Sequence, residues 1–274
     1  MNTIDPSPNS SLLAFRKSNP PNYIKIRNTP WETLVTGSGE ETILFLHGLA
    51  GAYDIWWQQI LALRDRFRLI AVTCPPLGNL PSLAEGILAI LNHEQVEKTN
   101  LVGSSFGGYL AQYLAARYPE RLKKAVFSNT YAQPKFIETK FRLVGLVLPF
   151  TPERLVMSVL RWGFRTRIYP TSNRSDLTLA YMLEQASGKL SKADIVCRYR
   201  NVIERFERTN ADRSQTPLMI IESDNDPLIE PGWREDLRAA YPSARVHTLK
   251  EGGHFPYLST PEEYAKLLEE FFGG

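Results

Sequence analysis

Ser105 lies in a frame that is typical of a catalytic nucleophile. Gly103 and Gly107 flank it at two residues on either side, a β-type run that becomes apolar at Leu101 and Val102 precedes it over residues 98–102, and a helical pattern follows over residues 109–114. A serine at a tight turn between a buried strand and a helix can attack an acyl carbon, and glycines leave room for the strained backbone of such a turn. The same residues also fit an ordinary glycine-rich turn. The frame therefore indicates a nucleophile only if a base and an acid are found elsewhere in the chain.

His254 is the predicted general base. It follows residues 251–253, a flexible loop just beyond the last predicted strand. One class of serine hydrolases uses the chain order Ser, Asp or Glu, His, and His254 occupies the last place of that order. The other three histidines fit structural roles: His47 shapes the loop at the end of an apolar strand, and His93 and His247 lie on a helix and a strand.

Asp226 is the predicted acid that holds this histidine. It stands directly before residues 227–229, a turn on the loop after the preceding predicted strand. A carboxylate in this place fixes the histidine tautomer and stabilises the imidazolium that forms during attack. Asp224 is the alternative, with capping of the loop through backbone N–H bonds as its other role. Glu222 is assigned to the strand end.

Two backbone N–H groups are predicted to stabilise the oxyanion. One belongs to Phe106, directly after the serine and at the start of the following helix. The other belongs to Leu49, in the loop that follows His47 and Gly48 at the end of an apolar strand. Glycine lets the backbone approach a substrate closely. A plain strand-to-helix turn is the alternative, and the place of this loop in the chain favours the oxyanion role.

The elements that must position these residues alternate between strands and helices. Apolar or alternating runs predict strands over residues 23–27, 31–36, 42–46, 68–73, 98–102, 124–129, 217–221 and 244–249. Helical periodicity predicts helices that include residues 83–91, 109–117, 231–240 and 261–272. This order predicts an α/β fold with a mostly parallel sheet and helices on both faces. Ligands of such sheets gather at the carboxyl ends of the strands.

The alternation breaks over residues 131–214, which are helical in pattern and contain no convincing strand. We therefore predict a helical cap that is inserted into an α/β core made of residues 1–130 and 215–274.

The apolar stretch of residues 141–150 predicts a helix packed over a pocket, since an arginine, a glycine and a proline interrupt it. Weak contact with a membrane surface is the alternative. The predicted substrate-binding residues are Phe141, Leu146, Trp56 and Trp57. The later basic residues of the insertion, Arg198 among them, are interpreted as a solvated face.

Composition narrows the class of protein. The chain has 274 residues, of which 43% are hydrophobic and 22% charged, with a net charge of +3. These values are ordinary for a globular enzyme and argue against a disordered chain or a nucleic-acid partner. Two cysteines, Cys74 and Cys197, form neither a disulfide framework nor a metal-ligand spacing and are interpreted as buried thiols. Without an apolar signal segment or spanning run, the prediction is a cytoplasmic protein with no metal and no cofactor.

Four motifs together resemble the α/β-hydrolase superfamily: FLHGL at residues 45–49, GSSFGG at 103–108, DPLI at 226–229 and GGHFP at 252–256. Within the superfamily, residues 59–63, 148–150, 241–245 and 252–258 resemble the maspardins. The resemblance implies an α/β-hydrolase fold from about residue 42 onward, with the insertion in the position of the cap. Maspardins are similar in keeping the serine but lack the histidine, and this chain departs from them by having both His254 and Asp226.

The predicted function is hydrolysis of a carboxylic ester, or a related acyl bond, of a small apolar substrate through an acyl-enzyme. Ser105 argues against dehalogenases and epoxide hydrolases, which resemble this scaffold but carry an aspartate at the same turn. A carbon–carbon bond hydrolase, a serine peptidase and a non-catalytic binding or adaptor protein of the maspardin type remain as alternatives. The sequence leaves the oligomeric state open.

Overall fold

The computed structural model describes residues 10–132, 142–207 and 216–273. The strands are β1 (Asn22–Ile26), β2 (Thr29–Thr36), β3 (Thr42–Leu46), β4 (Arg68–Thr73), β5 (Thr99–Ser104), β6 (Leu122–Ser128), β7 (Leu218–Ser223) and β8 (Arg245–Leu249). In the described residues they form one eight-stranded sheet in the order β1-β2-β4-β3-β5-β6-β7-β8. β2 pairs antiparallel with β1 and β4, and all the other pairs are parallel.

The helices are α1 (Ser10–Ser18), α2 (Trp57–Leu63), α3 (Leu80–His93), α4 (Phe106–Arg117), α5 (142–147), α6 (Glu153–Gly163), α7 (Tyr169–Thr171), α8 (Asp176–Glu184), α9 (Lys192–Ile203), α10 (Pro231–Ala240), α11 (Pro256–Ser259) and α12 (Pro261–Gly273). Short 3₁₀ turns cover Tyr53–Trp56, Pro119–Arg121 and Leu148–Phe150, and π-helical turns cover Phe164–Ile168 and Gln185–Lys189.

The two faces of the sheet are covered by different helices. All five residues of β3 are buried, as expected for a strand with helices on both sides. Phe45 packs in a cluster with α2 and α12, whereas Leu46 packs in a second cluster with α3, α4 and α10. Each fully buried Leu, Ile or Phe contributes about 1.5–3 kcal/mol to folding. The predicted α/β fold, mostly parallel and covered on both faces, is confirmed.

Between β6 and β7 the described residues contain helices and no strand. The buried side chains of α6, α8 and α9, such as Val156, Tyr181 and Ile195, join the cluster that also contains Tyr53 of the core. α9 starts at a capping box, in which the Ser191 hydroxyl accepts the N–H of Asp194 and the Asp194 carboxylate accepts the N–H of Ser191. These helices, α5 to α9, lie where the cap was predicted and we call them the cap; α6, α8 and α9 pack directly on the α/β core.

Two local features differ from the sequence prediction. Residues 10–18, for which the sequence predicted no helix or strand, form α1, whose Leu12 and Phe15 are buried in the core. The first hairpin turns at Arg27 and Asn28, both with positive φ of 47° and 67°, so that β2 already starts at Thr29. A two-residue turn with positive φ at both positions matches the right-handed twist of the flanking strands, whereas type I or II turns would splay them.

Candidate active site

Ser105 occupies a strained turn between β5 and α4. Its φ of +54° and ψ of −118° lie in a region that non-glycine residues rarely adopt, at a cost of about 1–3 kcal/mol. A Cβ atom on Gly103 would lie 2.2 Å from the carbonyl oxygen of Gly107, and one on Gly107 would lie 2.2 Å from that of Leu46. Both glycines are therefore required by the close approach of strand and helix.

The backbone of this serine is anchored to the end of β6. The Ser105 N–H donates to the carbonyl oxygen of Ser128 at 2.9 Å. The Thr130 hydroxyl donates to the carbonyl oxygen of Ser105 at 2.8 Å. These bonds keep the turn in one conformation.

His254 and Asp226 form a buried pair at the carboxyl ends of β7 and β8. The Nδ1 atom of His254 lies 2.9 Å from both carboxylate oxygens of Asp226, and the histidine is only 2% exposed. Asp226 Oδ1 also accepts the N–H groups of Leu228 at 2.8 Å and Ile229 at 3.1 Å. The turn after the aspartate thus orients its carboxylate toward the imidazole.

Asp224, the alternative acid, has a different partner. It is exposed, and its Oδ1 accepts the N–H of Glu251 at 2.8 Å. This is a loop-capping contact of the kind that short acidic side chains make.

Asn129 is a residue of this site that the sequence analysis did not single out. Its Nδ2 donates to Asp226 Oδ2 and to the carbonyl oxygen of Gly253, both at 3.0 Å, and lies 3.1 Å from the Ser223 hydroxyl. It joins the loops of the aspartate and the histidine. The sequence signal that could have identified Asn129 is a polar side chain directly after a buried parallel strand.

The pKa of Asp226 lies below its ordinary value of 3.8. Burial by itself would raise this pKa, but the charge and hydrogen bond of His254, with the hydrogen bonds of Asn129 and Leu228, outweigh burial. The carboxylate is therefore ionised at neutral pH and acts as an acceptor for the imidazole N–H.

The two predicted oxyanion donors lie on either side of the serine. Phe106 is the first residue of α4, where N–H groups have no acceptor within the helix. A Cβ atom on Gly48 would lie 3.3 Å from the Ser105 Cβ, so the loop that leads to Leu49 passes directly beside the serine. Leu49 and Ser105 line the same cavity.

His47 shapes this loop, as the sequence analysis predicted. Its Nδ1 lies 2.6 Å from the carbonyl oxygen of Gly48, and its Nε2 accepts the N–H of Cys74 at 2.9 Å. Complete burial lowers the pKa of His47 well below 6.5, and the nearby charge of Arg198 lowers it further. A neutral ring with the proton on Nδ1 satisfies both contacts.

Arg198 corrects the prediction of a solvated basic face. Its side chain, from the cap helix α9, is only 2% exposed and donates to the carbonyl oxygens of Leu49 (2.7 Å), Gly51 (3.0 Å) and Cys74 (3.0 Å). Burial lowers the pKa of its guanidinium. α9 turns this side chain inward onto the core, where three carbonyl groups replace water. The cap thereby holds the loop that carries the predicted oxyanion donor.

A cavity of about 360 Å³ connects the serine and the histidine with the cap. Its lining is mostly apolar and consists of Leu49, Ala50, Ser105, Tyr131, Leu160, Phe164, Arg167, Tyr199, Val202, Leu228, Ile229, Glu230, Trp233, His254 and Phe255. Two of its charged residues, Arg167 and Glu230, are exposed. The cavity can therefore accept an apolar group beside the serine.

The predicted substrate-binding tryptophans do not line this cavity. Trp56 is fully buried with its ring centroid 4.2 Å from that of Tyr257, and Trp57 stacks on Tyr181 at 6.3 Å. Both fill the core: Trp56, at the end of a 3₁₀ turn, packs on α11, and Trp57, at the start of α2, packs on α8.

Of the predicted cap residues, Leu146 is 62% exposed and is absent from the lining, and Phe141 lies outside the described residues. Leu160 and Phe164, which come later in the cap, take the place that the apolar stretch was expected to fill. The apolar residues of the stretch 141–150 follow no helical period, so the sequence does not indicate which side of the helix faces the core.

A second cavity, of about 520 Å³, lies on the side of α1. It is lined by charged residues that include Arg16, Glu32, Asp54 and Arg198, and it contains neither the serine nor the histidine. We therefore place the candidate site in the smaller cavity.

Within residues 10–132, 142–207 and 216–273, no three His, Cys, Asp or Glu side chains are grouped as metal ligands would be. The described helices also include none with the length and apolar character to cross a membrane. Cys74 is buried, and Cys197, predicted to be buried, is only partly so.

Comparisons with known proteins agree with the fold described above. A family model described as alpha/beta hydrolase fold matches residues 41–261. Mouse maspardin is 24% identical over 225 residues, covering 81% of this chain and 71% of maspardin. A pimeloyl-[acyl-carrier protein] methyl ester esterase of Aeromonas hydrophila is 27% identical over 264 residues, covering 86% of this chain and 97% of the esterase. The crystal structure of a hydrolase from Pseudomonas aeruginosa has a TM-score of 0.82 at 19% identity, covering 93% of this chain and 99% of that one.

Proposed function

Because this chain belongs to the alpha/beta hydrolase fold family, we propose that it is a serine hydrolase that cleaves a carboxylic ester or related acyl bond through an acyl-enzyme. One observation carries the proposal. The imidazole of His254 is held by both oxygens of Asp226 at 2.9 Å, and it opens onto the cavity that Ser105 lines from a strained turn. A histidine with a purely structural role requires neither a buried carboxylate on Nδ1 nor access to a cavity lined by a strained serine.

In the proposed reaction, Ser105 Oγ attacks the carbonyl carbon of the substrate and its proton passes to Nε2 of His254. Asp226 holds Nδ1–H and stabilises the imidazolium without taking the proton. The N–H groups of Phe106 and Leu49 donate to the oxyanion, and each such donor is worth roughly 3–4 kcal/mol in comparable enzymes. The imidazolium then protonates the leaving alcohol, and water attacks the acyl-enzyme with the same histidine as base.

The substrate class follows from the cavity. Its apolar lining and volume of about 360 Å³ suit a small apolar acyl or alcohol group. The similarity to a methyl ester esterase supports an ester as the scissile bond.

A non-catalytic binding protein is the second candidate, and the 24% identity to maspardin is the observation that favours it. The buried His254–Asp226 pair, whose histidine lines the same cavity as Ser105, favours the enzyme. Hydrolases of carbon–carbon bonds and of peptide bonds use the same three side chains. Assays with panels of ester, carbon–carbon and peptide substrates distinguish these reactions.

Ser105→Ala tests the proposal. We expect turnover of a p-nitrophenyl acyl ester to fall by on the order of 10⁴-fold or more, because the nucleophile is lost. A fluorophosphonate probe should label the wild-type chain and neither Ser105→Ala nor His254→Ala. Ser104→Ala is the matched control and should retain labelling. Unchanged turnover in Ser105→Ala, or no labelling of folded wild-type protein, would contradict the proposal.

A further inference from the structure

The outer side of the cap carries a concentration of exposed apolar side chains. Among the described residues, eight of the exposed large hydrophobic side chains lie within a stretch of 20 residues: Leu143, Val144, Leu146, Val147, Phe150, Leu155, Val159 and Trp162. Phe150 is 87% exposed, and Trp162 is 62% exposed. We call these eight side chains the outer cap face. Single exposed apolar residues are ordinary, but eight within 20 residues point to a contact surface.

α6 has two apolar sides with different environments. Val156 and Met157 are buried, and Leu160 and the following Phe164 line the candidate active-site cavity. On the other side, the exposed residues Leu155, Val159 and Trp162 follow one another at a spacing of four and three, so they form a stripe along one side of the helix. The inner side accounts for the packing of α6, and the outer stripe has no role in it.

Basic side chains accompany this face. Residues 142–167 contain five arginines and one acidic residue, Glu153, although the net charge of the whole chain is only +3. Arg142, Arg154 and Arg165 are exposed. A second copy of the chain docked through the same face would bring arginines of both copies together, which costs free energy. The surface of an anionic membrane can bind both kinds of side chain, because its phosphates pair with arginines and its acyl chains contact apolar side chains.

We propose that the outer cap face docks on an anionic phospholipid membrane. α5 and α6 lie in the plane of the surface, with the aliphatic side chains at the boundary of the acyl chains and Trp162 at the level of the headgroups. The exposed Arg142, Arg154 and Arg165 contact lipid phosphates. Docking places the cavity under α6 next to a source of apolar acyl groups. This surface goes beyond the proposed hydrolase activity and does not require it.

The test is flotation of the full-length chain with phosphatidylcholine vesicles that either contain or lack phosphatidylserine. We expect binding to the anionic vesicles at low salt, several-fold weaker binding to the neutral ones, and release at high salt. Emission of Trp162 should shift to shorter wavelength on binding, and Trp162→Phe removes this shift while keeping an apolar side chain.

Three variants separate the contributions. Phe150→Ala with Trp162→Ala should weaken binding at least about tenfold by loss of apolar contact, and Arg154→Gln with Arg165→Gln should weaken it on anionic vesicles only. Tyr23→Ala with Val246→Ala, which truncates exposed side chains of β1 and β8 outside the outer cap face, is the matched control and should bind like wild type.

No binding of the wild-type chain to anionic vesicles, or equal binding of the Phe150 and Trp162 variant, overturns the proposal. A dimer in sedimentation velocity that dissociates in the same variant, without vesicle binding, assigns the face to a second copy and also overturns it. Ser105→Ala should bind vesicles like wild type, so loss of activity and loss of docking are distinguishable.

Discussion

Asp226 and Asp224 stand two residues apart on the same loop and make contacts of different kinds. Asp226 contacts the imidazole of His254, whereas Asp224 caps a backbone N–H. Asp226→Asn should leave the fold intact and lower kcat for an activated ester by on the order of 10⁴-fold, because an amide stabilises the wrong histidine tautomer. Asp224→Asn is the matched control, and its kcat should stay within a few-fold of wild type. A larger loss in the Asp224 variant would reverse the assignment of the acid.

His47 makes stability depend on pH through its burial. Its pKa in the folded chain lies well below the ordinary 6.5, so the unfolded chain binds a proton that the folded chain does not. The free energy of unfolding should therefore fall as the pH decreases below about 6.5. His47→Gln keeps an acceptor for the N–H of Cys74 and removes the titration. Urea unfolding between about pH 7.5 and pH 5 should show a shallower decrease for this variant, and an unchanged slope would contradict the assignment.

At the scale of elements, α9 couples the cap to the loop after β3 through Arg198. Arg198→Met should lower kcat by roughly 10–100-fold with little change in KM, because the loop is no longer held where Leu49 can donate to the oxyanion. The carbonyl groups left without a donor should also lower stability by about 1–3 kcal/mol each.

Arg198→Lys, which keeps a donor, should restore part of kcat. Arg200→Met on the same helix is the matched control, since Arg200 is exposed. A loss confined to stability, with kcat unchanged in the folded variant, would show that Arg198 only packs the cap.

At the scale of the whole molecule, Arg16 joins three parts of the chain. From α1, it donates to Asp54 of the core at 2.7 Å and to both carboxylate oxygens of Glu184 in the cap at 2.9 Å. Asp54 is 2% exposed. Arg16→Met leaves that carboxylate buried without its cation, so we expect a loss of about 3–5 kcal/mol in the free energy of unfolding.

Arg66→Met, which removes an exposed ion pair with Glu269, is the control and should cost at most about 1 kcal/mol. Both variants can be compared by urea unfolding at neutral pH. Equal losses would mean that Arg16 contributes no more than a surface pair.

The sequence determined the order of strands and helices, the turn at Ser105, and the places of Asp226 and His254 on loops after β7 and β8. These features are local: apolar runs define buried strands, and Gly103 and Gly107 mark the one serine around which a strand and a helix can approach closely. Chain order then limits which loops meet at the carboxyl ends of a parallel sheet.

Which side chains line the cavity and which fill the core depends on tertiary packing. Trp56, Trp57 and Leu146 have the right chemistry for a pocket, but packing places the first two beneath it and the third outside it. Arg198 and Asn129 make their hydrogen bonds to residues that are distant in sequence, for which composition and periodicity carry no signal. Residue types restrict what chemistry is available, whereas the direction of each side chain depends on the packing of elements that are distant in sequence.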